Sequence, residues 1–190
     1  LNFQNTFNLY NEENTFTTNW YFRLLTFFRI LTVYFGLLFW PLNLHMERGV
    51  DIATGLGSFS VIFGAFLFFG LLAFGLSQFK KFPVLSFGIL WFFICLAPTS
   101  NILIPINGLL YEHWFYLPLI GIFLALIWLG EEIGRKYHLQ KILATSFVVL
   151  AIFFSVLTIK RNRDLHDAIT FYNQTLKCAP RSSRVTHNLG

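Results

Sequence analysis

The chain has 190 residues, of which 55% are hydrophobic and only 12% charged, with 25 phenylalanines and a mean hydropathy of +0.59. A soluble domain carries about 25% charged residues, so too little polar surface remains here to clothe a globule, and the composition is that of an integral membrane protein. The net charge of +5, from 14 Lys and Arg against 9 Asp and Glu, is divided among short clusters between apolar runs; nucleic-acid binding needs a basic face instead of basic loop ends and is not expected.

In chain order, residues 1–20 form a polar approach segment rich in Asn and Thr. The run "YFRLLTFFRILTVYFGLLFW" (21–40) is long enough to cross about 30 Å of hydrocarbon, and Pro41 ends it. A polar loop leads to a second span at 58–79. After "KKFP", residues 84–97 form an apolar run too short for an unaided crossing. Pro98, Pro105 and Gly108 break the following stretch. Further spans are predicted at 114–130 and 142–159, with Pro118 near the start of the first, where a helix tolerates it. The expected fold is therefore all-α, a bundle of four to five spans over 21–159 followed by a soluble tail at 160–190. Leu1 shows no signal-peptide pattern and "HNLG" stops within a motif, so the chain is read as an internal piece of a longer protein.

Loop charge predicts an orientation. The N-terminal side of the first span, side A, collects Arg23, Lys80, Lys81, Arg135, Lys136 and Lys141, and the positive-inside rule assigns it to the cytoplasm. Side B, with the tail, then faces outward. Lys160, Arg161 and Arg163 pull the other way.

Side B also holds most of the candidate chemistry. His45, Glu47, Arg48, Asn101, Asn107, Glu112 and His113 fall close to span ends, and Arg29 lies inside the first span, where a charge requires a partner. Glu112 and His113 stand directly before an apolar run whose Trp114, Phe115 and Tyr116 suit either an interfacial anchor or the wall of a lipid groove. Two readings of Glu112 and His113 stay open, loop support and substrate contact. Arg29 is read as an ion-pair partner or snorkelling side chain, or as a contact to a phosphate. Glu131 and Glu132 lie beside Arg135 and Lys136 as a solvated helix end. No metal site, phosphate-cradling glycine loop or nucleophile elbow is present, Cys95 and Cys178 suggest no disulfide, and no cofactor is expected.

The tail matches the offsets of a tetratricopeptide repeat, whose period is about 34 residues. Tyr172 and Pro180 follow Ala168 by 4 and 12 residues, and Leu189 and Gly190 by 21 and 22. Ala168 allows close helix approach, Tyr172 fills the groove between helices, and Pro180 ends the second helix. One such unit cannot bury its own apolar face, so further repeats are expected.

Three segments in this order, "LLTFFRILTVYFGLLFWPLNLHMER", "LAPTSNILIPINGLLYEHWFYLPLIG" and "RNRDLHDAITFYNQTLKCAPRSSRVTHNLG", resemble the C-terminal half of multi-span membrane proteins that end in tetratricopeptide repeats. These proteins are related to the protein O-mannosyltransferases and have the C-type glycosyltransferase fold. The resemblance implies transfer of a sugar from a polyprenyl-phosphate donor to an acceptor outside the cytoplasm, often a protein hydroxyl. It also places the catalytic acid in an outward loop upstream of this chain, and the fragment alone is expected to be inactive. Where that family commonly has Arg after "EH", this chain has Trp114. On this reading Arg29, His45, Glu47, Arg48, Glu112 and His113 are substrate-binding candidates, and the partners are membrane lipid, the donor and peptides held by the repeats. The alternative is a membrane-anchored repeat scaffold for protein–protein interaction.

Overall fold

The computed structural model describes residues 15–41, 44, 48–106, 108–164 and 168–178. They form an all-helical chain: α1 (Thr15–Thr18), α2 (Trp20–Phe39), α3 (Phe59–Ser77), α4 (Pro83–Leu96), α5 (Tyr116–Tyr137), α6 (Gln140–Asp164) and α7 (Ala168–Cys178). Short 3-10 turns at Ala97–Thr99 and Glu112–Phe115 follow α4 and precede α5. Among the described residues four helices are long and apolar enough to cross a membrane, namely α2, α3, α5 with its leading turn, and α6. This is the build of a membrane protein.

The helix ends follow from local chemistry. Asn19 caps α2 by accepting a hydrogen bond from the Tyr21 N–H at 3.0 Å, and the chain leaves the helix at Trp40, just before Pro41. Pro83 opens α4, where its missing N–H has no partner to lose. At the end of α5, His138 takes the left-handed conformation (φ 58°), and the Leu139 N–H reaches the Gly134 carbonyl at 2.9 Å. That tight turn starts α6 beside the end of α5, with the Leu143 side chain close over Gly134. α4 has only 14 residues and, among the described residues, is the one short helix of the apolar ones.

Glycines set the closest crossings. A Cβ at Gly64 would lie 1.8 Å from the Phe28 carbonyl oxygen, so α3 meets α2 backbone to backbone. Gly88 of α4 and Gly121 of α5 face each other, and a Cβ on either would lie 2.4 Å from the other's carbonyl oxygen. Apolar side chains gain little from leaving lipid for protein, so such small-residue contacts are what bring membrane helices together. Around them, Phe27, Phe28, Phe68 and Phe93 form an edge-on aromatic cluster. Leu25, Leu31, Phe92 and Leu96 fill the rest of the core. α6 is the exception. It is the most apolar of the long helices, yet nothing in its membrane-length window is buried, and Phe147, Ile152 and Phe153 all stand exposed.

Candidate functional site

The site is built on the side B half of α2. Gly64 packs on Phe28, and the Thr32 hydroxyl donates to the Ser60 carbonyl at 2.7 Å, so the middle of α2 is level with the start of α3. The last turns of α2 therefore project beyond α3 on side B, ending at the exposed Phe39 and Trp40. Both outer loops fold onto this projection.

The first loop is held by a polar stripe on α2. The Ala53 N–H donates to the Thr26 hydroxyl at 3.0 Å, within the core. The Arg29 guanidinium donates to the Asp51 carbonyl at 2.9 Å and to Ser58 Oγ at 3.1 Å. Thr26, Arg29 and Thr32 are three residues apart and share one helix face. Irregular backbone beside membrane helices persists only when its polar groups are satisfied, and this stripe satisfies two of them, the Ala53 N–H and the Asp51 carbonyl. Arg29 thus sits with the side B loop and holds it to the second span, even though it is central within its own helix.

The second loop closes over the end of α2. The Tyr34 hydroxyl donates to the Tyr111 carbonyl at 3.1 Å, and its ring stacks on Phe115 at 4.6 Å and 11°. Between the two loops runs an ion pair. Arg48 Nε donates to Glu112 Oε1 at 2.8 Å, with the two side chains 21% and 12% exposed. The Arg48 N–H also donates to the Leu110 carbonyl at 3.2 Å. Charge-assisted contacts of this kind are stronger than neutral ones, and partial burial limits screening by salt.

Of the six site candidates, the structure brings Arg48 and Glu112 into direct contact and places Arg29 on the same loop through Asp51, three residues beyond Arg48. His113 is exposed, with its ring beside Tyr111 and Trp114 at 5.5 and 6.0 Å. His45 and Glu47 lie outside the described residues, as does Asn107. Of the expected lipid-groove wall, Phe115 is buried in the core and Trp114 is half-buried against Tyr111, whereas Tyr116 is exposed. No group of three or more metal-ligating side chains occurs among the described residues.

Sequence reasoning missed Thr26, Thr32, Tyr34 and Ser58. A signal existed for the first two, because hydroxyls three residues either side of Arg29 mark a polar line on an apolar helix. Tyr34 and Ser58 act through partners that no local pattern reveals.

Helix length fixes the level of the ion pair. Nineteen residues separate Glu112 from Glu131, the first charge toward side A on the same helix. At 1.5 Å per residue this is about 28 Å, close to the thickness of the hydrocarbon core. The spacing of these two charges thus matches a single crossing, with the Arg48–Glu112 pair at its side B end. Comparison of the chain with protein-family models, curated proteins and solved structures finds no match.

Proposed function

We propose that this chain is part of a membrane glycosyltransferase that takes a sugar from a polyprenyl-phosphate donor and delivers it to an extracytoplasmic acceptor, in the first place protein hydroxyls. The reading is carried by the half-buried Arg48–Glu112 pair at the membrane rim. A polyprenyl phosphate has its charge at that level and its tail in the bilayer. A guanidinium held by a carboxylate is oriented toward one face, and its planar donor set suits phosphate oxygens. Arg48 then takes the place of the cation that the resemblance puts where Trp114 stands. Glu112 fixes the Arg48 orientation, and Arg29 sets the loop that presents it. The resemblance assigns the proton-accepting carboxylate to an upstream loop.

The test is a donor-consumption assay on the complete protein, upstream spans included. Arg48→Gln is expected to lower transfer at sub-saturating donor by about 10-fold or more, the value of one charge-assisted hydrogen bond. Wild-type transfer by both Arg48→Gln and Glu112→Gln would overturn the assignment.

A second reading is supported by α6 and α7. A long apolar helix standing off the bundle leads into the 11-residue helix Ala168–Cys178, in which Thr175 is buried. This suits a membrane-anchored tetratricopeptide scaffold that binds peptides. Pro180, Leu189 and Gly190, on which the repeat arithmetic also depends, lie outside the described residues. Under the scaffold reading, partner capture follows substitutions in the tail and ignores Arg48 and Glu112.

A further inference from the structure

We propose that the segment 100–106 lies in the side B interface of the bilayer, with Leu103 and Ile104 set against lipid acyl chains. The inference rests on the membrane build of the helices and is independent of the sugar-transfer reading.

The first observation is a length. Lys81 is the last charged residue before α4, and no charged residue follows until Glu112. From Pro83, two residues after Lys81, to Leu96 the helix advances about 20 Å, and the 3-10 turn Ala97–Thr99 adds about 6 Å. With Lys81 at the side A surface, Ser100 is delivered at the opposite edge of a hydrocarbon core about 30 Å thick, and not beyond it. The α4–α5 pairing agrees. The Gly88–Gly121 contact locks the two helices in register, and Glu112 reaches the same level along α5.

The second observation is how the loop satisfies itself. Backbone groups at this depth have little water to turn to. Ser100 Oγ donates to the Ala97 carbonyl at 2.7 Å and accepts the Ile102 N–H at 3.2 Å. Asn101, 2% exposed and at φ 60°, accepts the Ile106 N–H on Oδ1 at 2.7 Å and donates from Nδ2 to the Gly108 carbonyl at 3.2 Å. Gly108 is at φ 113°, and a Cβ there would lie 2.1 Å from the Tyr111 ring. Its missing side chain lets that ring close the loop.

The third observation is what this frame presents. Its tip carries Leu103, 79% exposed, and Ile104, 54% exposed. A loop whose Ser100 and Asn101 side chains bond back to its own backbone while two large aliphatic side chains stand exposed, level with the membrane edge, matches acyl chains in chemistry. It would serve as a peg that fixes the side B rim, and the Arg48–Glu112 pair with it, at a set depth in the leaflet.

The experiment is site-directed spin labelling of the full chain in phosphatidylcholine nanodiscs, with Cys95 and Cys178 replaced by Ser. Labels are placed by Leu103→Cys and Ile104→Cys. Ile152→Cys on the exposed apolar α6 is the lipid reference, and Lys136→Cys at the side A end of α5 is the water reference. Power saturation compares collision with oxygen, which concentrates in lipid, and with a polar nickel chelate. The expected result is that labels at 103 and 104 favour oxygen, as at 152. Preference for the nickel chelate, as at 136, would overturn the proposal in favour of a water-facing loop. Protection from both reagents would overturn it in favour of a protein contact.

Discussion

Arg48 Nε and Glu112 Oε1 are 2.8 Å apart although 64 residues of chain separate them. The pair joins the loop after α2 to the loop before α5, so two distant turns form one rim. Its chemistry and its structural work are separable. Removing one partner strands a half-buried charge, which costs about 1–3 kcal/mol. Arg48→Gln and Glu112→Gln should each lower the thermal midpoint of the detergent-solubilised protein. The exchange Arg48→Glu with Glu112→Arg restores an ion pair and should recover most of that loss. Donor transfer should stay low in the exchanged protein, because the cation has moved to the other loop. Recovery of both stability and transfer would mean that the position of the cation does not matter.

Arg29 makes a different prediction. It donates to the Asp51 carbonyl and to Ser58 Oγ, so Arg29→Met removes two bonds that tie the first loop to α2. The loss should be about 1–3 kcal/mol, read most directly as faster amide exchange across residues 51–58. Exchange at the α4–α5 crossing should be unchanged. A uniform rise over the bundle would show that Arg29 supports the core instead of the loop.

Tyr34 joins the rim to the core through its hydroxyl and through its stack on Phe115. Tyr34→Phe keeps the ring and leaves the buried Tyr111 carbonyl without that donor, a loss of about 1–2 kcal/mol. Tyr34→Leu also removes the stack and should cost more. Equal melting of the two variants would contradict a contribution from stacking.

The helix crossings are tested by single methyl groups. At Gly64 a Cβ meets the Phe28 backbone at 1.8 Å, and at Gly88 it meets the Gly121 carbonyl at 2.4 Å, whereas at Gly70 nothing lies within 4 Å. Gly64→Ala and Gly88→Ala must push helices apart and should destabilise by about 1–3 kcal/mol or more. Gly70→Ala should be neutral or stabilising by up to about 1 kcal/mol, since Ala favours helix over Gly. Thermal melts of the three variants in one detergent decide it.

The helices were legible because each apolar run ends at a marker the chain displays, such as Pro41 after α2 or Lys80, Lys81 and Pro83 before α4. The short run expected at 84–97 is a 14-residue helix at Pro83–Leu96, and its shortness proved informative about the depth of the following loop. Arg29, Arg48 and Glu112 could be picked out as charges near or inside apolar runs. Their partners could not, because Arg29 binds a backbone carbonyl and a hydroxyl, groups that leave no pattern in the sequence. The pairing of Arg48 with Glu112 depends on how two loops fold back over α2. Thr26 and Thr32 form with Arg29 a polar line that the sequence displays, but what that line binds is supplied only by the returning 51–60 segment. That α6 stands apart from the bundle is also invisible in composition, since a lipid-facing helix and a buried one are equally apolar.

The central claim is that the side B rim binds a polyprenyl phosphate through Arg48. It is tested most directly by measuring donor binding to the complete protein in nanodiscs by native mass spectrometry, in wild type, Arg48→Gln and the Arg48→Glu, Glu112→Arg exchange. Wild type is expected to hold the donor, and both variants, including the well-folded exchanged protein, to bind it about 10- to 100-fold more weakly. Equal donor binding by all three proteins would contradict it.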